Sequence, residues 1–326
     1  MITRDGRITL VLLFSLGVAS CHSANRRPTN ANANARPNQT PSPTTKPDAS
    51  LQSQVTQIAS LSKGRVGVFA MLLETGETLA SMNSQDHFAM QSVYKLPISM
   101  AVMKQVDDGK LKLDQKVRIT KEDYVGTAAH SPLRDKNPNG VELTLKDILR
   151  YALSESDGTA SDVLMKLAGG NTAVQRYVTD LPVTDLIVLS TEKELSEDET
   201  AQYRNYASPV SAVTLLRALN ESRGLSASSQ ALILKYMTES TPGAKRLKGL
   251  LPARTIVAHK TGTSGTTNGK TAATNDIGII TLPNGKHLAI AVFVSDSAAD
   301  EETREGVIAK IAKAIYDASS AVVARP

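Results

Sequence analysis

Apolar residues alternate near both ends of the folded part and recur with helical spacing between them, an order that few folds accommodate. One alternating segment surrounds the turn signal Thr75-Gly76, and another contains Asn284-Gly285, a strong two-residue hairpin signal. From Ser92 to about Lys235, apolar residues instead recur every three or four positions. The sequence therefore predicts an α+β protein, in which terminal strands form one antiparallel sheet flanked by helices and packed on an all-α lobe.

This order also predicts where the lobes lie along the chain. An α/β lobe is expected over about residues 51–90 and 237–326, and an all-α lobe over about residues 91–236. Clefts between lobes are preferred places for binding sites. Ser92 lies at the junction where the strands end and the helices begin, so we expect the functional site at this junction.

The first 21 residues are typical of an export signal. Arg4 and Arg7 precede an apolar run, residues 8–19, that is too short for a comfortable transmembrane helix. The run ends in Val18-Ala19-Ser20-Cys21, which resembles the lipobox of bacterial lipoproteins, where the cysteine is lipidated and becomes the first mature residue. We therefore expect an exported lipoprotein, anchored to a bacterial membrane through Cys21, with its domain facing the periplasm or the cell exterior. An ordinary signal peptide cut nearby is the alternative.

Residues 22–50 have a different composition from the rest of the chain. They are rich in Asn, Pro and Thr and contain almost nothing to bury. Such a segment cannot offset its ordering entropy, so we expect a disordered tether. The domain is expected to begin near Leu51.

The composition argues against several classes of function. The net charge of +5 is mild, and the chain has no tryptophan and only four phenylalanines, so a nucleic-acid groove with aromatic stacking is a poor match. The five histidines are scattered without ligand spacing, so neither a metal site nor a cofactor is expected. Cys21 is the single cysteine and has no partner for an intrachain disulfide. A monomer is expected.

Ser92 and Lys95 lie three residues apart where a helix begins, so their side chains share a face. A serine hydroxyl is a poor nucleophile without an adjacent base. Lys95 can take its proton if burial and neighbouring cations favour the neutral amine, and a helix N-terminus favours developing negative charge on Ser92. The alternative is a helix start with one solvated lysine, and this pattern alone does not decide between them.

Two further triplets complete a set. Ser156-Asp157-Gly158 falls between predicted helices, and Lys260-Thr261-Gly262 ends a predicted strand. With Ser92-x-x-Lys95 they match, in order and rough spacing, the motifs of class A β-lactamases and penicillin-binding proteins. The segments RLKGLLPARTIVAHKTGTSG and GKTAATNDIGIITLPNGKHLAIAVFVSDS resemble the PER-type branch of class A serine β-lactamases, a group known for extended-spectrum cephalosporin hydrolysis. The resemblance covers Leu51 to Tyr316 and implies the serine β-lactamase/DD-peptidase fold.

The resemblance also implies roles for individual residues. Ser92 would be acylated by a β-lactam, and Ser156, supported electrostatically by Lys260, would relay a proton towards the departing lactam nitrogen. The backbone N–H groups of Ser92 and Thr263 would form the oxyanion hole, typically a large part of acyl-transfer catalysis. The substrate-binding residues that it implies are Thr261, Gly262, Thr263, Arg246, His130 and Ser196.

A lactamase needs a base that activates water to hydrolyse the acyl-enzyme, because without one the acyl-enzyme stays trapped. In this family the base is a glutamate in a pattern like E-x-E-L-N, and here Glu192 takes its position in the segment EKELS. Ser196 takes the position of an asparagine that holds the water. Alternatively, Glu192 is one of several solvated acids in a charged run. An Arg–Asp pair closes this loop in many members, but Ser190 and Asn205 occupy its positions, so the loop must be held in another way.

Three other departures concern substrate binding. Gly158 replaces an asparagine that contacts the substrate amide, which removes a hydrogen-bond partner and widens the cleft. His130 matches an aromatic gate, although a plain loop histidine fits equally well. Thr274 stands where most members carry an arginine, and Arg246 matches an alternative position for a cation that binds the substrate carboxylate. A solvated loop arginine is the other interpretation.

The predicted function is hydrolysis of penicillins and cephalosporins through a serine acyl-enzyme, which confers antibiotic resistance. Two other functions remain open at this point: a low-molecular-weight penicillin-binding protein acting as a DD-peptidase, and a non-catalytic lipoprotein that senses β-lactams or muropeptides. Glu192 argues against the DD-peptidase, because such enzymes lack that base.

Overall fold

The computed structural model describes residues 48–196 and 200–323, with side chains as far as residue 320. The predicted signal peptide, Cys21 and the tether up to residue 47 lie outside the described residues. The Asp48 carboxylate accepts a hydrogen bond from the Ser50 backbone N–H and caps the first helix. That helix begins at Ala49, slightly before the predicted start at Leu51.

The helices alternate with short loops through the middle of the chain. In chain order they are α1 (Ala49–Ser60), α2 (Lys95–Asp107), α3 (Pro132–Lys136), α4 (Leu145–Ser154), α5 (Gly158–Ala168), α6 (Asn171–Asp180), α7 (Glu192–Leu195), α8 (Pro209–Asn220), α9 (Ala227–Thr238) and α10 (Glu301–Val323). Single 3-10 turns lie at Gln91–Tyr94, Lys121–Asp123 and Ala201–Tyr203. No helix within the described ranges is both long and apolar enough to cross a bilayer.

The strands concentrate near the two ends of the domain. In chain order they are β1 (Arg65–Leu72), β2 (Thr78–Met82), β3 (Phe88–Ala89), β4 (Lys116–Ile119), β5 (Val141–Thr144), β6 (Leu186–Ile187), β7 (Tyr206–Ala207), β8 (Val257–Thr263), β9 (Thr266–Thr267), β10 (Lys270–Thr281) and β11 (His287–Ser297). The main sheet runs β2-β1-β11-β10-β8 with β9 beside β10, and all of its pairs are antiparallel. The predicted antiparallel sheet and both of its hairpins are confirmed.

Both faces of this sheet are buried, and the alternation along β11 shows why. Its even-numbered residues from Leu288 to Val294 pack with α1 and α10 in one apolar cluster. Its odd-numbered residues from Ala289 to Phe293 join the larger cluster that fills the helical lobe. Successive strand residues point to opposite faces, so one strand contributes to both cores and joins the two lobes.

The helical lobe surrounds α2. Every residue from Lys95 to Met103 is buried, as expected of a helix that other helices enclose on all sides. The lobe predicted as all-α also contains short strands, because β4 pairs with β5 and β7 pairs with β3 and β6. These pieces of two to four residues are too short to show an alternating pattern in the sequence. The pairing of β3 with β7 brings the loop before α8 next to the segment that leads into α2.

Candidate active site

The first turn of α2 brings a hydroxyl and an amine together in a buried position. Lys95 Nζ donates to Ser92 Oγ at 2.8 Å, to the Ser156 backbone oxygen at 2.8 Å, and lies 2.6 Å from Glu192 Oε1. The Lys95 residue is only 1% exposed. An ammonium has three donors, and here each has an acceptor, so the interpretation of Lys95 as a solvated lysine is wrong.

Two residues beside the nucleophile have backbone angles that are uncommon for side-chain-bearing residues. Gln91 has φ +47° and Ser156 has φ +57°, both in the left-handed region. The Gln91 amide donates to Gln202 Oε1 at 3.2 Å, and the Ser156 carbonyl accepts from Lys95. Strained backbone of this kind is held by its surroundings and clusters at functional sites.

Lys260 approaches the same point from the sheet. Its Nζ donates to Ser156 Oγ at 2.8 Å and to the Thr261 carbonyl at 3.0 Å. Burial first, and then the charge of Lys95, hold the pKa of Lys260 well below the ordinary lysine value, while Asp276 and Glu192 act in the opposite direction. The structure therefore brings both lysines, both serines and Glu192 together.

A cavity of about 410 Å³ opens above this cluster. Its lining consists of Ser92, His130, Ser156, Thr241, Pro242, Thr261 and Thr263. The strand β8 can border it because Gly262 has no side chain: a Cβ there would lie 2.2 Å from the Met90 carbonyl oxygen. The nucleophile and the end of β8 thus face the same space, where the predicted oxyanion hole of Ser92 and Thr263 would lie.

Glu192 is the first residue of the short helix α7. Thr191 caps this helix, and the Glu194 carboxylate returns to the Thr191 backbone N–H at 2.8 Å, forming a capping box. The two glutamates therefore differ: Glu194 is exposed and holds the helix start, whereas Glu192 reaches Lys95. The interpretation of Glu192 as a solvated acid is wrong.

A carboxylate from α5 holds the backbone of Glu192. Asp162 accepts hydrogen bonds from the Glu192 N–H at 2.7 Å and from the Lys193 N–H at 3.1 Å. Burial raises the pKa of Asp162 to about 6, against the lowering effect of these two bonds. A negative group at a helix N-terminus is electrostatically favourable, so Asp162 aims α7 into the site.

Asn205 replaces the expected Arg–Asp pair in closing the loop. Its side-chain oxygen accepts from the backbone N–H groups of Leu189 and Ser190, at 2.8 and 2.9 Å, and its amide donates to the Ser190 carbonyl at 2.8 Å. The Asn205 carbonyl accepts from the Met90 N–H at 2.9 Å. A single fully buried amide thus joins the two ends of the loop and ties them to the segment before Ser92.

Arg246 is not a solvated loop residue, and its guanidinium is not free to bind a ligand directly. It is 3% exposed, and its Nε pairs with Glu305 Oε1 at 3.0 Å. Its other nitrogens donate to the carbonyls of Gly262 and Asn275 and to the Thr263 hydroxyl oxygen, the last at 2.8 Å. The prediction of direct carboxylate binding by Arg246 is corrected: its charge reaches the cavity through Thr263.

Two other predicted residues bond to nearby backbone. His130 lines the cavity, and its Nε2 lies 2.9 Å from the Glu155 carbonyl. The Ser196 hydroxyl contacts the carbonyls of Glu192 and Lys193, outside the residues that line the cavity. Serine is shorter than asparagine and bonds to its own helix end, so a role for Ser196 at the hydrolytic water stays a prediction.

Gly158 provides the space that Glu192 uses. A Cβ at this position would lie 3.3 Å from Glu192 Cγ, 3.2 Å from the His130 carbonyl and 3.4 Å from Val125 Cγ2. The predicted widening of the cleft is therefore partly taken up by the glutamate. Among residues 48–196 and 200–323, no group of three or more metal-binding side chains converges.

Sequence reasoning missed Asp162 and underestimated Asn205. The signal for Asp162 was an acid within the apolar segment ASDVLMKL, where a charge is costly unless it has partners. For Asn205 the sequence identified the position but not its partners, because all three hydrogen bonds go to backbone groups whose approach depends on the loop path. Chemically, the assembled site has a nucleophile, a shared proton network and a carboxylate beside the same lysine.

Comparisons with known proteins agree with this geometry. The chain matches the β-lactamase enzyme family over residues 50–319. It is 41% identical over 269 residues to β-lactamase VEB-1 of Pseudomonas aeruginosa, which covers 82% of this chain and 89% of that protein. It is 40% identical over 266 residues to the extended-spectrum β-lactamase PER-1 of the same organism, covering 82% and 86%.

A solved structure supports the same likeness. The crystal structure of a β-lactamase from Chitinophaga pinensis superimposes with a TM-score of 0.81 at 45% sequence identity, and the match covers 83% of this chain and 99% of that one.

Proposed function

Because the chain belongs to the β-lactamase enzyme family, as a class A serine β-lactamase, we propose that it hydrolyses penicillins and cephalosporins through an acyl-enzyme on Ser92. The observation that carries this proposal is the position of Lys95 Nζ, 2.8 Å from Ser92 Oγ and 2.6 Å from Glu192 Oε1. One amine thus connects the nucleophile with the carboxylate that separates a lactamase from a DD-peptidase.

Acylation begins when Lys95 passes a proton to Glu192. The neutral amine then accepts the Ser92 hydroxyl proton as Oγ attacks the lactam carbonyl carbon. The backbone N–H groups of Ser92 and Thr263 stabilise the oxyanion, and the ring C–N bond breaks. The support for this step is that Lys95 is buried and has no other carboxylate partner among the described residues.

The departing nitrogen takes its proton from the Ser156 hydroxyl. Lys260 Nζ bonds to this hydroxyl oxygen at 2.8 Å, so its charge stabilises the negative charge that the proton transfer leaves on Ser156. Lys95 then passes the proton that it took from Ser92 to Ser156, and Glu192 returns its proton to Lys95, so acylation ends with a neutral Ser156 hydroxyl and an ionised Glu192. The substrate carboxylate lies near the Thr263 hydroxyl, which Arg246 polarises from behind. In this proposal Arg246 positions a binding group and does not contact the substrate itself.

Deacylation depends on Glu192, the carboxylate that contacts Lys95. Glu192 deprotonates a water that attacks the ester carbonyl, the bond to Ser92 Oγ breaks, and Lys95 returns a proton to that oxygen. Asp162 and Asn205 hold the loop in place for this step. The extended-spectrum part of the proposal rests on the name of the relative PER-1 and on the missing side chain at Gly158, which opens space beside the substrate amide.

The test compares two glutamates on one helix. Glu192→Ala should slow deacylation on the order of a hundredfold or more, because it removes the general base. The acyl-enzyme should still form, more slowly, because without Glu192 the Lys95 amine can release its proton to solvent. The expected signature is a burst of one equivalent and a penicillin mass shift on Ser92. Glu194→Ala is the matched control: it removes the capping carboxylate of the same helix and should turn over a chromogenic cephalosporin normally.

Three other outcomes would contradict the proposed nucleophile, the proposed function or the roles of the two glutamates. If Ser92→Ala still becomes labelled by a penicillin, the nucleophile is wrong. If wild-type enzyme traps one equivalent and never turns over, the protein is a penicillin-binding protein or a sensor. If Glu194→Ala traps the acyl-enzyme and Glu192→Ala does not, the roles within the loop are reversed.

The location of the enzyme is part of the proposal. The residues that support it are the apolar run 8–19 and the lipobox at Cys21, with residues 22–47 as the tether. Several acyl chains hold a protein to a membrane firmly, while one holds it only marginally. Cys21→Ser should shift the catalytic domain from the membrane fraction to the soluble fraction. The released domain should be a monomer by light scattering. Wild-type protein found wholly in the soluble fraction would contradict the anchor.

A further inference from the structure

A histidine and an aspartate form a completely buried pair behind the strand that carries Lys260. His259 on β8 and Asp276 on β10 both have side chains with 0% exposure, and His259 Nδ1 lies 2.9 Å from each carboxylate oxygen of Asp276. The Leu247 backbone N–H also donates to Asp276, at 3.2 Å. Gly278 makes room for the ring, because a Cβ there would lie 2.9 Å from His259 Cβ.

The hydrogen bonds indicate that this pair carries a net negative charge. The Nδ1–H group of His259 donates to the carboxylate, whereas its buried Nε2 has no hydrogen-bond partner among residues 48–196 and 200–323. A charged imidazolium would leave a buried N–H donor unpaired, which costs more than an unpaired acceptor of a neutral ring. The geometry therefore favours a neutral His259 that orients a charged Asp276.

Strand geometry places this charge close behind Lys260. Asp276 pairs across the ladder with Thr261, and Lys260 pairs with Ile277. Alternate residues point to opposite faces, so the Lys260 side chain enters the site while Asp276 and His259 lie on the other face of the sheet. Lys260 and Asp276 thus lie on neighbouring strands, one register position apart and on opposite faces of the sheet.

The other charges around Lys260 do not balance without Asp276. Lys95 on α2 and Arg246, which precedes β8, are cations, and both lower the pKa of Lys260. Glu192 on α7 already pairs with Lys95, and Arg246 already pairs with Glu305 of α10. No lysine or arginine within the described part of the chain contacts the Asp276 carboxylate. Asp157 and Asp162, two other largely buried acids near Lys95, are held instead by backbone N–H groups at the starts of helices.

We propose that Asp276, oriented by His259, is a positioning residue of the acyl-transfer reaction, whose fixed charge behind β8 keeps the Lys260 ammonium protonated and donating to Ser156. This inference rests on the proposed function, since it explains how Lys260 supports the proton transfer from Ser156. It also assigns a role to a polar pair on the face of the sheet opposite to the Lys260 side chain.

The test measures the protonation of Lys260 directly. Lysine labelled with carbon-13 at Cε is titrated by NMR in the resting enzyme, and Lys260→Arg assigns the signal. Asp276→Asn keeps the size of the side chain and removes its charge. We expect the Lys260 midpoint to fall by about one pH unit and the alkaline limb of kcat/KM to move with it, a tenfold loss of activity above that limb.

Two control variants separate charge from packing. Asp317→Asn removes the same charge from an exposed i,i+4 pair with Lys313, and it should leave the Lys260 midpoint unchanged. His259→Asn removes the ring and keeps the Asp276 charge, so it should lower thermal stability while the midpoint stays near the wild-type value. An unchanged midpoint in Asp276→Asn overturns the proposal.

A measurement on the wild-type enzyme covers the case in which Asp276→Asn does not fold. Nitrogen-15 shifts of His259 should show a neutral ring protonated at Nδ1 at pH 7. A doubly protonated ring would neutralise Asp276 and overturn the proposal. If the Lys260 midpoint shifts as expected but the wild-type enzyme hydrolyses no β-lactam, the charge coupling holds and the proposed function fails.

Discussion

Replacing Asp162 by asparagine should slow deacylation. It should also make the stability of the variant, measured relative to the wild-type enzyme, higher at pH 8 than at pH 5. The carboxylate accepts from the Glu192 and Lys193 N–H groups at 2.7 and 3.1 Å. An amide of the same shape has one acceptor oxygen and turns its NH₂ group towards the second N–H. The substitution therefore removes one of the two bonds and the charge at the start of α7.

The stability effect follows from the raised pKa of Asp162. Burial places this pKa at about 6, above the ordinary aspartate value of 3.8. The folded state thus holds its proton more tightly than the unfolded chain, so the stabilisation from protonation is full at low pH and is lost as pH rises through 6. For these two values, linkage gives a loss of about 1.4 kcal/mol between pH 5 and pH 8 in the wild-type enzyme. Asparagine does not titrate, so the variant avoids this loss.

The rate effect has the opposite sign. A hydrogen bond to a charged group is worth about 1.5–3 kcal/mol, and each 1.36 kcal/mol is a factor of ten in rate. If that energy positions Glu192 for its water, deacylation should slow by roughly ten- to a hundredfold. Acylation should change less, because the contact between Ser92 and Lys95 does not involve the α7 backbone.

Two assays measure these effects separately. Urea titrations at pH 5 and pH 8 give the difference in unfolding free energy between variant and wild type, which should favour the variant by about 1.4 kcal/mol more at pH 8. Quenched-flow mass spectrometry gives the acylation and deacylation rates. Asp300→Asn is the control: Asp300 also accepts a helix N-terminal N–H, from Thr303, but its pKa is lowered by its hydrogen bonds to Thr303. Its effect should not change between pH 5 and pH 8.

Either of two results would contradict this role of Asp162. A stability difference for Asp162→Asn that is the same at both pH values would mean that the buried carboxylate does not titrate near pH 6. A normal deacylation rate would mean that the α7 backbone does not need this anchor to place Glu192.

Three further substitutions test other contacts of the site. Gly158→Asn should slow deacylation more than acylation, measured by acyl-enzyme accumulation, because its Cβ would displace Glu192; faster deacylation would contradict this. Asn205→Ala should destabilise the domain by about 3 kcal/mol in urea titrations, because it leaves buried backbone groups unpaired. An unchanged urea midpoint would show that these hydrogen bonds do not stabilise the domain. Arg246→Ala should cost about 3 kcal/mol by leaving Glu305 unpaired, and adding Glu305→Gln should recover part of it; no recovery would argue against the ion pair.

The sequence by itself determined the fold class and the members of the catalytic cluster. Alternation along β11 and helical spacing around α2 are local patterns, and each reports directly which residues face a core. The motifs at Ser92, Ser156 and Lys260 are also local, because each is a triplet or a single helical turn. Their order along the chain matched the family that the comparisons then showed.

Only the tertiary structure decided how those residues are held. Asp162 and Glu192 are thirty positions apart, and nothing in the spacing of two acids indicates that one accepts the backbone N–H of the other. Arg246 illustrates the same limit. The sequence matched it to a position that binds the substrate carboxylate, but in the structure its partners on β8, β10 and α10 bury it, and it donates to the Thr263 hydroxyl oxygen. Local sequence encodes periodicity and burial, whereas the partner of a buried polar group depends on which distant segments fold against it, and the cost of leaving that group unpaired then selects the contact.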